Sequence, residues 1–218
     1  MTVPSIAAYA MPDPSDLPSQ YVDWVLNPER AALLVHDMQE YFVRFFPAGE
    51  SPVVELVDHC ALLVEQCRSV GVPVAFTAQP GGMSPAERGL LQGFWGAGMS
   101  SAEGDRAIVE PLTPLATETV FTKWRYSAFF RSNLLEFLHE QGRDQLIICG
   151  VYAHVGCMVT AIDAFTHDVQ PFLVGDAVAD FTADYHEMAL RYLAERSALV
   201  LPTVSVLRSL TATTKSAS

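Results

Sequence analysis

The sequence is poor in charge: Asp, Glu, Lys and Arg make up 17% of its 218 residues, and lysine occurs only at Lys123 and Lys215. Half of the residues are hydrophobic, which sets the chain apart from the polar, highly charged composition of unfolded proteins. Basic residues are the scarcest charges, 13 Lys and Arg against 25 Asp and Glu for a net charge of −12. So acidic a surface repels phosphate backbones and anionic lipid, and argues against nucleic-acid and membrane-surface roles. Long hydrophobic runs are also missing. The most apolar stretch, Leu146 to Ile162, is interrupted by Gly150, His154 and Gly156 and reads as a strand passing into a helix, not as a membrane span. The amino terminus, MTVPSIAAYAMPDPSD, lacks the basic start and apolar stretch of a secretion signal, so a cytoplasmic location is expected. The four cysteines, Cys60, Cys67, Cys149 and Cys157, lie in apolar segments without CxxC spacing, which favours reduced, buried thiols over zinc ligation or a disulfide framework.

With no internal repeat and no linker, the length predicts one domain, residues 1–210, followed by a flexible polar tail, 211–218. Short apolar runs rich in β-branched residues alternate with helix-length amphipathic segments. Strands are expected at Ala31–Val35, Val72–Thr77, Thr119–Thr122, Gln145–Cys149, Gln170–Val174 and Ala198–Leu201, an alternation that predicts a parallel sheet with helices on both faces. In the helix after the first strand, Val53, Leu56, Val57, Cys60, Val64 and Cys67 form a stripe at spacings of three and four. Ser51 is the expected cap, Pro52 suits the first turn and Gly71 the end. Further helices are expected from Ser132 to Glu140, after Gly150, and around Asp184 and Glu187, which stand at capping-box spacing. Residues 80–114 are rich in Gly, Ser and Pro yet carry Arg88, Phe94 and Trp95, the composition of a cover over a site.

Three places invite chemistry. Asp37 follows the run AALLVH, at the carboxyl end of the first strand, the edge where open α/β sheets bind ligands; it serves there either as a backbone cap or as an acid. Lys123 ends another strand in VFTKW, either snorkelling among aromatics or acting on a ligand. In GVYAHVGCM, residues 150–158, a strand yields to a helix whose first amides can face an anion. His36 and His154 lack a carboxylate and second histidine at metal-ligand spacing, and their first reading is structural.

The motifs HDMQEYF (36–42), TAQP (77–80), RGLLQGFWG (88–96), TKWRYSAFFRS (122–132) and GVYAHVGCM, in this order, resemble the isochorismatase family, particularly its siderophore and phenazine-pathway members, from about Ile6 to Leu207. The resemblance implies a Rossmann-like three-layer α/β/α fold with a six-stranded parallel sheet of order 3-2-1-4-5-6. It further implies hydrolysis of a vinyl ether with no metal and no organic cofactor. Residues matching Asp37 and Lys123 are catalytic in the family, and those matching Phe42, Gln79, Arg88, Trp95, Tyr152 and Gly156 line the substrate pocket. Nicotinamidase-like amidases of the wider superfamily place a catalytic cysteine where this chain has Gly156. Cys157, one residue on, is turned by about 100° on a helix and should face away from Asp37 and Lys123. That disfavours a thiol amidase, and the intact Asp37, Lys123 and pocket aromatics disfavour an inactive interaction module. The implied substrate is a small anionic chorismate derivative, isochorismate or 2-amino-2-deoxyisochorismate. The implied partners are a second copy of the chain, as a homodimer or higher homo-oligomer, and a separate carrier-protein or synthetase partner, since no carrier-protein domain is read in this sequence.

Overall fold

Buried on both faces, the apolar runs AALLVH and QLIICGV form the two central strands of one parallel sheet, as sequences without polar alternation do. The computed structural model describes residues 3–212. It runs β1 (Ala31–His36), α1 (Glu40–Val43), α2 (Val53–Val70) and β2 (Val74–Ala78), then the short α3 (Pro85–Arg88), α4 (Leu91–Trp95) and α5 (Glu103–Arg106). After these come β3 (Thr119–Thr122), α6 (Leu134–Glu140), β4 (Gln145–Val151), a π-helical turn (Ala153–Cys157) and α7 (Met158–Thr166). The chain closes with β5 (Gln170–Ala179), α8 (Ala183–Arg196), β6 (Leu199–Leu201) and α9 (Thr203–Ala212). The strand order is β3-β2-β1-β4-β5-β6, with every pairing parallel.

Alternate residues of the strands feed two apolar layers. Leu33, Val35, Phe76, Ile147 and Phe172 pack with Leu56, Cys60 and Leu63 of α2 and Val206 of α9. Ala32, Leu34, Leu146, Ile148 and Leu173 pack with Leu134 of α6, Ala161 of α7 and Leu193 of α8. The strand order reverses between β1 and β4, and the crevice at their carboxyl ends is the switch point.

Several local expectations change. Ser51 does not cap α2; its hydroxyl accepts from Met11 N at 3.0 Å, and Pro52 takes the N-cap position without a side-chain hydrogen bond. Gly71 does end α2, in the left-handed conformation at φ 74°. Thr182, not Asp184, caps α8, because its Oγ1 accepts from Tyr185 N at 3.2 Å. β5 runs five residues beyond Val174, to Ala179. Its pairing with β4 skips register between Ile148↔Leu173 and Gly150↔Val178, a bulge that lets Gly175 and Asp176 stay inside a strand. Asp176 then accepts from Thr203 N and Oγ1, at 2.6 and 2.7 Å, at the start of α9. Thr211 and Ala212, read as tail, continue α9; the rest of the expected tail, 213–218 with Lys215, lies outside the described residues. No described helix is long and apolar enough to cross a membrane.

Candidate active site

Asp37 leaves β1 with φ 49°, a left-handed conformation that Asp tolerates better than most side chains. The turn aims its carboxylate across the neighbouring strand ends. Thr77 of β2 accepts from Asp37 N at 3.0 Å and donates to Asp37 Oδ1 at 2.5 Å. Lys123, held just past β3 by its amide to Ala78 O (2.8 Å), donates from Nζ to Asp37 Oδ2 at 3.2 Å. Both charges are nearly sealed from solvent, at 6% and 3% exposure. Burial alone would raise the Asp37 pKa, but the Lys123 cation and the hydrogen bond from Thr77 outweigh it and hold the carboxyl below its ordinary range.

His36, the last residue of β1, is fully buried and stands behind the cavity wall without lining it. Its Nδ1 stands 2.9 Å from the Val151 carbonyl and its Nε2 3.2 Å from Thr160 Oγ1. Burial, then the nearby Lys123 charge, lowers its pKa to about 4, so the ring is neutral at pH 7. His154 is tied to Asp180: its backbone N and its Nδ1 each stand 2.6 Å from an Asp180 carboxylate oxygen, and its ring stacks on Tyr185. The first amides of the GVYAHVGCM turn were expected to face an anion, but the His154 amide is engaged by this buried carboxylate of the chain itself. Cys157 packs in the apolar layer with Ala161 and takes no part in the cavity wall. Burial pushes its thiol well above the usual cysteine range.

Above Asp37 and Lys123 lies a cavity walled by Trp95, Tyr152 and Phe181, a concave, largely apolar place of the kind in which small ligands bind. Residues 80–110 cover it, fastened by Gln39. The buried Gln39 amide donates to Gln79 O at 3.0 Å and Arg106 O at 2.9 Å, and accepts from Gln79 N at 2.8 Å. Arg88, 4% exposed, donates to Gly96 O, to Gln79 Oε1 and to Trp95 O, which engages three of the five guanidinium donors. An aromatic wall runs from Trp95, whose Nε1 donates to Tyr126 OH at 2.8 Å, through Phe181 to Tyr152, with ring centroids 5.8 and then 4.5 Å apart. Tyr152 OH donates to Phe42 O at 2.7 Å.

The eight residues singled out in the sequence, Asp37, Lys123, Phe42, Gln79, Arg88, Trp95, Tyr152 and Gly156, all line this one cavity. Tyr41, Arg125, Tyr126 and Phe181 line it too and were not foreseen. The first three lie inside the HDMQEYF and TKWRYS motifs, so the signal was there. Phe181 depends on the hidden length of β5, which carries it to the carboxyl edge. The only described carboxylate among the lining residues is Asp37, against Arg88, Lys123 and Arg125, a local balance of 3 − 1 = +2 within a chain of net charge −12. The site therefore suits an anion although the molecule as a whole is acidic. Among the described residues no group of three or more His, Cys, Asp or Glu side chains is placed to hold a metal ion.

Comparison with known proteins agrees with this geometry. The isochorismatase domain model matches residues 31–205. Isochorismatase of Bacillus subtilis (strain 168) is 52% identical over 210 residues, covering 96% of this chain and 67% of that protein. Phenazine biosynthesis protein PhzD of Pseudomonas fluorescens is 50% identical over 204 residues, covering 94% and 98%. Among solved structures, a cysteine hydrolase from Pseudomonas syringae pv. phaseolicola superposes with a TM-score of 0.78 at 22% identity, covering 87% of this chain and 96% of that one; at that identity the likeness speaks to the fold.

Proposed function

The chain belongs to the isochorismatase family of hydrolases, and from that premise we propose that it hydrolyses the enolpyruvyl vinyl ether of isochorismate to 2,3-dihydro-2,3-dihydroxybenzoate and pyruvate. The observation that carries the reading is the buried Asp37–Lys123 pair beneath a cationic, aromatic cavity, with a glycine at position 156 where a nucleophile would stand. Such a site holds a proton donor and charge stabilisation and no nucleophile of its own.

Asp37, protonated in the complex, gives its proton to the terminal methylene carbon of the vinyl ether. The C=C pair forms the new C–H bond, and the ether carbon becomes an oxocarbenium ion. Water adds to that carbon and loses a proton, which restores the Asp37 acid. The hemiketal then collapses: its hydroxyl proton passes to the ether oxygen as the bond from that oxygen to the hemiketal carbon breaks, leaving pyruvate and the dihydrodiol. Asp37 is ionised in the free protein, so the complex must raise its pKa. Two substrate carboxylates entering a desolvated site do so, by opposing a third negative charge and by competing for the Lys123 cation. Arg88 offers its remaining N–H donors to one carboxylate, a planar match, while the wall of Trp95, Tyr152 and Phe42 packs the ring.

The same cavity and the same proton transfer serve 2-amino-2-deoxyisochorismate, which keeps the vinyl ether and replaces one hydroxyl with an amine. Purified protein offered each substrate in turn, with pyruvate release followed to kcat/KM, tests the reading; release from neither overturns it. The pH profile tests the acid: kcat should fall as pH rises through the Asp37 pKa of the complex. A rate that is limited by proton transfer yet flat with pH up to the lysine range would remove Asp37 as the donor.

A further inference from the structure

The chemistry above uses neither ring nitrogen of His36, yet the structure makes unusual room for that side chain. A Cβ added at Gly150, which pairs with His36 across β1 and β4, would come 2.2 Å from His36 O. A Cβ added at Gly156 would come 2.2 Å from His36 Cε1, with Nε2 at 3.0 Å and Nδ1 at 3.1 Å. Two glycines, one in β4 and one in the turn that follows it, therefore accommodate one histidine, the first its backbone and the second its ring. The ring has no free swing. Nδ1 donates to the Val151 carbonyl at 2.9 Å and Nε2 accepts from Thr160 Oγ1 at 3.2 Å, and that hydroxyl oxygen also takes the Ala128 amide at 3.0 Å. Moving the ring would strand these groups in a fully buried place. His36 Nδ1 also stands 3.8 Å from Asp37 Oδ2. A side chain from position 156 that replaced the ring would come within reach of the carboxylate and, through it, of Lys123.

We propose that His36 is a positioning residue that sets the reaction class: its ring fills the volume in which a nucleophilic side chain at position 156 would meet Asp37 and Lys123. The site is thereby confined to capturing water. The proposal rests on the functional reading above, since it explains why that reading has no covalent step, but its test uses no substrate.

The first arm is a cycle of Gly156→Ala, His36→Val and the double variant, read as Tm. Gly156→Ala should lower Tm by at least about 5 °C through overpacking. The same substitution made on His36→Val should cost less than half as much, because the ring is gone. Should Gly156→Ala alone be recovered unfolded, restoration of folding by His36→Val supports the proposal equally. Additive losses, or no restoration by His36→Val, overturn it. The second arm places a thiol at position 156 by Gly156→Cys, with and without His36→Val, and measures alkylation by iodoacetamide in the native state, located by mass spectrometry. Modification at position 156 should be at least tenfold faster with His36→Val than without it, and faster than at Cys60, Cys67, Cys149 or Cys157, all buried. Equal rates in the two backgrounds overturn the proposal. A wild-type protein that releases no pyruvate would overturn the functional reading alone, with both arms still readable.

Discussion

The floor of the cavity is made of strand ends, Asp37 after β1, Thr77 within β2 and Lys123 after β3, whose side chains bond to one another in near-complete burial. The cover is made of three helices of four or five residues, held by a few side chains such as Gln39 and Arg88 that reach to carbonyl oxygens. The sheet fixes the floor through continuous backbone pairing, whereas each cover contact is a separate bond that can be lost without its neighbours. Chemistry is thus placed on the part that cannot shift and substrate recognition on the part that can be re-cut. Changes to the floor should appear in kcat or global stability, and changes to the cover in KM.

Asp37→Asn makes the sharpest test. Asn accepts the left-handed backbone at φ 49° as Asp does, so the fold should survive, with Tm lowered because the buried Lys123 loses its counter-charge. Pyruvate release should fall by about a hundred- to ten-thousand-fold. Asp37→Ala should lose as much activity and a further ~1 kcal/mol of stability, because Ala is strained at that φ. Near-wild-type kcat in either variant would move the acid elsewhere.

The floor also predicts a pH dependence of stability. Unfolded histidine titrates near 6.5, whereas burial, followed by the Lys123 charge, holds His36 at about 4. Between these values the unfolded chain binds a proton that the folded one refuses. The His36 contribution is complete above pH 6.5 and is lost as pH falls towards 4, by about 3 kcal/mol in all. Urea midpoints from pH 7 to pH 4 should show this slope, and His36→Asn should make it shallower. The same slope in both proteins would assign it to other groups.

For the cover, Gln39→Ala should cost about 1–3 kcal/mol by stranding the Gln79 and Arg106 carbonyls and the Gln79 amide. KM should rise and kcat change little, and a fall in kcat at constant KM would erase the proposed division between floor and cover. The smallest effect belongs to Trp95→Phe, which keeps a ring on the wall and gives up the bond to Tyr126 OH. A loss of about 1 kcal/mol corresponds to roughly a fivefold rise in KM with Tm unchanged.

How far the sequence reveals this division follows from the range of the interactions involved. Strands such as β1 and β4 declare themselves as apolar runs, because burial on both faces leaves no polar position to confuse the pattern. The ordered motifs bring eight cavity-lining residues to notice, since each lies at or near a strand end or in the cover. The true end of β5 is hidden, because the apolar run stops at Val174 and only the pairing with β4 and the bonds to Thr203 keep Gly175 and Asp176 extended. The cap of α8 was misplaced for a related reason. Asp184 and Glu187 have capping-box spacing, but the helix begins two residues earlier, capped by Thr182. The meaning of Gly156 is half legible: the missing side chain is plain in the sequence, but the ring of a residue 120 positions away that fills its place appears only in three dimensions.

The sheet is short at both rims: the outermost strands, β3 and β6, have four and three residues, against seven and ten in β4 and β5. Short rims offer little exposed backbone on which a foreign strand can template itself, a common protection against fibril growth and runaway stacking. Any lasting association of this chain with another must then be written in side chains on its helical and loop faces. Such a contact can be tuned by substitution without touching the strand pairing that holds Asp37 and Lys123 together.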